Sequence, residues 1–218
     1  MTAEIVIRPY QTIDRAVVRT ICCDTGNLGD PVDMIFPDRE IFADLITRYY
    51  TDYEPGSAWV AESDRTVTGY LTGCLNSRRY QRVMRWRVVP RVLVRAIGKG
   101  LLMERATWRL AGAVMRTIQF GGWVEPQVLE RFPAHLHINL RHHLRGRGVG
   151  EQMVGRFLDD AKAQGLGGVC AAVRGDNAAA CRLFQRMGFQ EIHRHPIAWP
   201  VGLNVYSRHD RVVYAKTL

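Results

Sequence analysis

No Cys-x-x-Cys pair occurs in this chain, and its five cysteines, Cys22, Cys23, Cys74, Cys170 and Cys181, are odd in number. Neither a disulfide framework nor a zinc ribbon is indicated, and no metal site is expected. The start, Met1-Thr2-Ala3-Glu4-Ile5-Val6, lacks the basic region and apolar stretch of a secretory leader. No uninterrupted apolar run approaches the roughly 18 residues that a membrane span requires. The expectation is a soluble, uncleaved, cytoplasmic protein in a reducing compartment. Internal repeats and low-complexity linkers are missing too, which excludes solenoid and disordered classes.

What is present is a chain of 218 residues with 47% hydrophobic composition, enough to bury a core within a single domain spanning 1–218. The formal charge of +9 is unevenly placed. Between Arg78 and Gln127 eleven basic residues stand against Glu104 and Glu125, so this block holds the whole excess and the rest of the chain is neutral. Such a block suits an anionic surface, nucleic acid or lipid, or forms a solvated helix face.

Alternation rich in isoleucine and valine predicts a first strand over Glu4–Pro9, and a helix follows from Thr12 to about Cys23. The turn-rich piece Asp24–Pro31 leads to a helix from Asp38 to Tyr50, then to strands over Ala58–Glu62 and Thr66–Leu75. The basic block over about 78–127 reads as a helical insertion, with Pro90 in a first helical turn. Its apolar residues Val92, Leu93, Val94, Ile97, Leu101 and Leu102 are expected to pack as a lid, leaving Arg91, Arg95 and Lys99 outside. Ala134–Leu140 then alternates as a strand, and a glycine turn opens a helix from Gly148 to Gln164. A strand near Gly168–Val173, a helix over Asn177–Met187 stopped by Gly188, and two closing strands complete the pattern.

Glycines at 146, 148 and 150 let backbone N–H groups converge without side-chain clash, and the following helix adds its positive dipole end. That is a cradle for pyrophosphate. A Walker loop would need Gly-Lys-Ser/Thr, and a dinucleotide fingerprint would need glycine where Glu151 stands, so ATP and NAD are disfavoured. The spelling Arg145-x-x-Gly148-x-Gly150 resembles the acetyl-CoA signature of the GNAT superfamily of N-acetyltransferases. A second block, Asn177-x-x-Ala180-x-x-Leu183-Phe184-x-x-x-Gly188-Phe189, resembles that family's Asn-x-x-Ala-x-x-Leu-Tyr-x-x-x-Gly-Phe. Within the superfamily, the stretch His135–Ile138 together with the Asp24-Thr25-Gly26 turn resembles the acetyltransferase-like domain of O-GlcNAcase.

The resemblance implies an α/β fold with a mixed, mostly antiparallel twisted sheet of about seven strands, splayed between the fourth and fifth, flanked by helices. It implies acetyl-CoA as acyl donor, with no metal, and direct transfer to an amine in a ternary complex. Leu140, Arg141 and His142 fall on the pantetheine side, and Arg145, Gly146, Arg147, Gly148, Val149, Gly150 and Glu151 on the phosphates. Asn177 falls near the pantetheine or the reaction centre. His142 stands where the family usually has proline.

Acetyl transfer needs a neutral amine, donors facing the developing oxyanion, and a proton for the departing thiolate. His135 and His137 share one strand face beside the implied acetyl site, and histidine titrates near neutral pH, at about 6.5 when unperturbed. A similar His-x-His occurs in arylalkylamine N-acetyltransferases, one residue further from the loop. Glu62 is the competing base. Phe184 replaces the tyrosine that protonates the CoA sulfur in many members, which leaves Tyr206, Tyr214 or water as donor. His193 and His195 line the acceptor pocket or the surface. The acceptor is an amine on a small molecule or a protein, and a homodimer is open. Two other readings stay open: a catalytically weak or inactive CoA-binding module, and binding to an anionic surface through the basic insertion.

Overall fold

The computed structural model describes residues 4–36, 38–105, 107–108, 112–113, 115–116, 126–200 and 206–218. Much of the basic insertion beyond Met103 therefore lies outside the described residues.

Seven strands form one sheet in the order β1-β2-β3-β4-β5-β7-β6. They are β1 Ile5–Pro9, β2 Ala58–Ser63, β3 Thr66–Cys74, β4 Ala134–Leu140, β5 Gly168–Arg174, β6 Gln190–Pro200 and β7 Tyr206–Thr217. Each neighbouring pair is antiparallel except β4 and β5, which run parallel. That parallel contact is short: Ala134 pairs with Val169 and His135 with Cys170, after which the strands part. The expected mixed sheet, splayed at the fourth and fifth strands, is what forms.

Side-chain alternation divides the sheet into two faces. On one, Leu136, Ile138 and Leu140 of β4, Ala171 of β5 and Val212 and Tyr214 of β7 join the main core. That core is closed by α6 (Val149–Ala163), whose Met153, Val154 and Phe157 are fully buried, and by Phe184 of α7 (Ala178–Arg186). On the opposite face lie α1 (Arg15–Thr25) and α2 (Arg39–Asp52). The helix starts are written in short polar side chains: Asp38 accepts from the Ile41 amide at 2.9 Å, and Asn177 from the Ala180 amide at 3.1 Å. Arg19 of α1 and Asp44 of α2 form a buried pair at 2.6 Å that ties the two helices together.

The insertion begins as α3 (Ser77–Val83), passes through a π turn over Met84–Val88 and continues as α4 (Val89–Gly98). Pro90 sits in the first turn of α4, and the widened π turn accommodates its missing N–H and its ring. α5 (Pro126–Arg131) returns the chain to β4. The expected division of α4 into a packed apolar side and a free basic side is corrected. Val92 and Leu101 are buried against Ile41 of α2, whereas Leu93, Val94, Ile97 and Leu102 are exposed. Arg95 donates to Asp44 at 3.1 Å, and Lys99 pairs with Asp38. Arg91 donates to the hydroxyl of Tyr53, the C-cap of α2, at 3.3 Å, so all three charges reach toward α2. No helix of the described residues is long and apolar enough to cross a membrane.

Candidate active site

Where β4 and β5 separate, a cleft of about 980 Å³ passes through the sheet, lined by Leu136–Leu140 on one side and Ala171–Arg174 on the other. Five residues of β4 lie beyond its last register pair with β5, so backbone groups on that edge have no strand to bond. The glycine turn sits at one end of the cleft. Gly146 and Gly148 adopt φ values of 73° and 75°, the left-handed region, and Gly148 is the N-cap of α6. A Cβ at either would meet open space, so what demands glycine there is backbone conformation rather than crowding within the protein. Gly150 differs: its Cβ would press on the Leu183 side chain at 3.2 Å. The first intrahelical bond from this end is the Gln152 amide to the Gly148 carbonyl at 3.1 Å, which leaves the amides of Val149, Gly150 and Glu151 at the helix mouth.

Of the residues implied to hold cofactor, Leu140, Arg145, Gly146, Gly148, Val149, Gly150, Glu151 and Asn177 line the cleft, while Arg141, His142 and Arg147 do not. The Arg141 guanidinium turns instead to Asp24 at 2.8 Å, and His142 is exposed. Arg145 donates to the Leu140 carbonyl at 3.4 Å, and its guanidinium rests on Gly29, where any Cβ would collide with it. The Glu151 carboxylate is bonded to Arg186 of α7. Its pKa is held low, first by its own amide at the helix start and then by that arginine. Asn177 caps α7 through Oδ1, so only its Nδ2 is left to face the cleft.

The two histidines of β4 have different surroundings. His135 is bonded at both ring nitrogens, Nε2 to the Tyr50 hydroxyl at 2.9 Å and Nδ1 to the Ser77 hydroxyl at 2.7 Å. His137 lines the cleft, packs edge-on against Tyr50 at 5.8 Å, and has no hydrogen bond to its ring among the described residues. Burial, aided by the neighbouring His137 and Arg211 charges, holds His135 down to about 3; burial and Arg211 hold His137 down to about 4. The expectation that these imidazoles titrate near neutrality is thereby corrected: both are neutral at pH 7.

Glu62 is not at the site. It lies on β2, away from the cleft, and its carboxylate accepts from Arg8 Nε at 2.8 Å on the β1 edge of the sheet. The side chain of Tyr206 lies outside the described residues, although its backbone opens β7. Phe184 is buried and stacks on Tyr214 with centroids 6.1 Å apart, and desolvation pushes the Tyr214 phenol up to about 12. His195 is buried on β6 and His193 packs on it, ring to ring at 5.2 Å, but neither lines the cleft. The turn after α1 does line it, through Thr25, Gly26 and Gly29, and is fixed to β4 by the Asn139 amide donating to Thr25 Oγ1 at 2.7 Å. Ala113 of the insertion and Trp199 of β6 complete that wall. Sequence reasoning missed Tyr50, Tyr80, Ser77 and Arg211. The last had a readable signal, since an arginine two residues before Val213 on an alternating strand shares its inward face.

The description Acetyltransferase (GNAT) family matches residues 121–189, which run from the end of the insertion through β4, the glycine turn, α6, β5 and α7. An L-methionine sulfoximine/L-methionine sulfone acetyltransferase of Pseudomonas aeruginosa is 34% identical over 80 residues, covering 37% of this chain. This chain spans 46% of that relative's length, about half. Among solved structures, SsHAT superposes with a TM-score of 0.71 at 23% identity over 98% of both chains. The putative acetyltransferase yncA from Salmonella typhimurium, solved with its cofactor acetyl-CoA, gives 0.56 at 15% identity over 98% of this chain and 94% of its own. The matched segment, which carries both the splayed strand and the left-handed glycine turn, is similar to the GNAT acetyltransferase family.

Proposed function

We propose that this protein transfers an acetyl group from acetyl-CoA to the nitrogen of a small amine in a ternary complex. The observation that best supports this is a conjunction at one opening: a β4 edge without a strand partner, and a turn whose two left-handed glycines aim the start of α6 at the same cleft. The residues fit the donor. The amides from Gly146 to Glu151 would hold its pyrophosphate, the free edge of β4 through Leu140 its pantetheine arm, and Asn177 Nδ2 a polar group beside it. Acetyl-CoA supplies, when bound, an activated thioester.

His137 then serves as base. Burial keeps its imidazole neutral, so a ring nitrogen is open to take the proton that the amine loses as its C–N bond forms and the C–S bond breaks. His135 does not share this task, because Tyr50 and Ser77 already occupy both of its nitrogens. Phe184 has no proton for the departing sulfur, so that proton comes from Tyr206 or from water. All five cysteines are free, four of them buried, which suits work in the reducing cytoplasm. The Pseudomonas aeruginosa relative is named for acetylating L-methionine sulfoximine and L-methionine sulfone, and so favours a small acceptor over a protein.

The test is turnover of acetyl-CoA with a broad amine panel, the product identified by mass spectrometry. An acetylated amine supports the reading. Tight acetyl-CoA binding without any product would leave a CoA-binding module in its place.

A further inference from the structure

Arg211 lies on β7, and nothing in the proposed transfer uses it. Its register partners are Arg174 on β5 and His195 on β6. Its neighbour Val212 points into the core beneath α6 and α7, so strand alternation turns Arg211 to the other face, the one that carries His137. It lines the cleft and is mostly buried, and its charge reaches His135, His137 and Tyr80.

Among the described residues no carboxylate pairs with this guanidinium and no hydrogen bond reaches it. The groups that favour its charge are the Tyr80 phenol and the Cys170 thiol, neither of them an anion at neutral pH. Neighbouring arginines are treated differently: Arg174 is bonded to Asp176 at 2.7 Å and 3.0 Å, and Arg186 to Glu151. Beside Arg211, His195 is 3% exposed with neither ring nitrogen hydrogen-bonded. A desolvated guanidinium without a partner is costly, and its planar fork matches two coplanar oxygens. The phosphates of the donor are not those oxygens, because the glycine turn lies on the α6 side of the sheet.

We propose that Arg211 receives a carboxylate of the acceptor, and that the substrate is a small amine bearing a carboxylate, of the free amino acid type. The assignment rests on the acceptor side of the cleft proposed above. The fork fixes the carboxylate, and the amine is left on the His137 side.

The experiment uses free L-amino acids, their carboxamides and the matching decarboxylated amines as three-membered sets. Binding is read by thermal shift in the presence of CoA, and transfer by product formation. In the wild-type protein at least one acid should bind and react better than its amide and amine by roughly 10²-fold. Arg211→Gln should erase that preference while leaving acetyl-CoA affinity unchanged, and Arg211→Lys should retain part of it. If no acid is preferred in the wild-type protein, or if Arg211→Gln keeps the preference, the assignment is overturned, whatever the turnover. If acids bind through Arg211 but none is acetylated, the assignment stands and the transferase reading fails. Should Arg211→Gln not fold, the comparison of acid with amide in the wild-type protein still decides.

Discussion

His135 and His137 lie on one face of β4 with ring centroids 6.0 Å apart, yet only His135 is bonded at both ring nitrogens. Their substitutions should therefore separate. His137→Ala should lower kcat by roughly 10²-fold with little change in melting temperature, as loss of a base does. His135→Ala takes a hydrogen-bond partner from each of the Tyr50 and Ser77 hydroxyls in a buried setting and should cost about 1–3 kcal/mol of stability. Paired kinetics and thermal denaturation check this. Equal loss of kcat in both variants, with no loss of stability in either, would show the division to be wrong.

Both imidazoles sit below the unfolded value of about 6.5, at about 3 and about 4, so the unfolded chain binds more protons than the native one between roughly pH 6.5 and pH 4. Stability must then rise with pH across that window and be lost as pH falls through it. By pH 5 the loss is on the order of 2 kcal/mol for each histidine, relative to neutral pH. His135→Gln removes one titrating group, so its stability should fall less steeply between pH 7 and pH 5, even though its value at pH 7 is lower. The corresponding kinetic expectation is that an acid limb assigned to His137 lies near pH 4. Any limb at neutral or alkaline pH then belongs to the amine itself. A flat stability profile from pH 7 to pH 5 contradicts the buried neutral state of both rings.

The two glycines of the cradle should fail in different ways. At Gly148, with φ of 75°, any L side chain is strained by about 1–2 kcal/mol, although its Cβ has room. Gly148→Val should therefore relax the turn and abolish acetyl-CoA binding in a folded protein. At Gly150 the obstacle is the Leu183 side chain, which can move, so Gly150→Ala should weaken binding by no more than about tenfold. Isothermal titration of acetyl-CoA distinguishes them. Unchanged affinity in Gly148→Val removes the cradle from the mechanism.

The succession of strands and helices and the glycine turn were legible because each is encoded locally, by alternation and by positions that favour glycine, whereas the splay was expected only from what the resemblance of two short motifs implies. The site's other half was not. Tyr50 reaches His135 across 85 positions, and Arg211 meets its neighbours only through strand register, which no local pattern reports. Asn177 was legible as a motif residue but not as the cap of α7, since the same short amide serves both uses. Glu62 misled for the converse reason: a carboxylate on a central-looking strand was in fact facing Arg8 at the edge. Charge on α4 misled as well, because counting basic residues says nothing of Asp38 and Asp44 waiting on another helix.

Those two aspartates allow a final prediction about the insertion. Asp44 is 4% exposed and accepts from Arg19 at 2.6 Å as well as from Arg95 at 3.1 Å. Asp38 caps α2 while it pairs with Lys99; burial raises its pKa, but the bonds from Lys99 and the Ile41 amide outweigh that and hold it low. Arg95 and Lys99 are 44% and 41% exposed, so each pair contributes at most about 1 kcal/mol and is screened by salt. Arg95→Gln with Lys99→Gln should therefore leave the melting temperature within a few degrees of the wild type. Amide exchange over Val89–Met103 should nevertheless quicken severalfold, and in the wild-type protein added salt should have a similar effect. Asp44→Ala is the contrasting case. It takes the buried carboxylate from Arg19, whose side chain is 9% exposed and keeps only Glu40 at 2.6 Å, and should cost about 1–3 kcal/mol, enough to lower the melting temperature by several degrees. If the double glutamine variant exchanges as slowly as the wild type, the apolar contacts of Val92 and Leu101 with Ile41 hold the insertion without help from its charges.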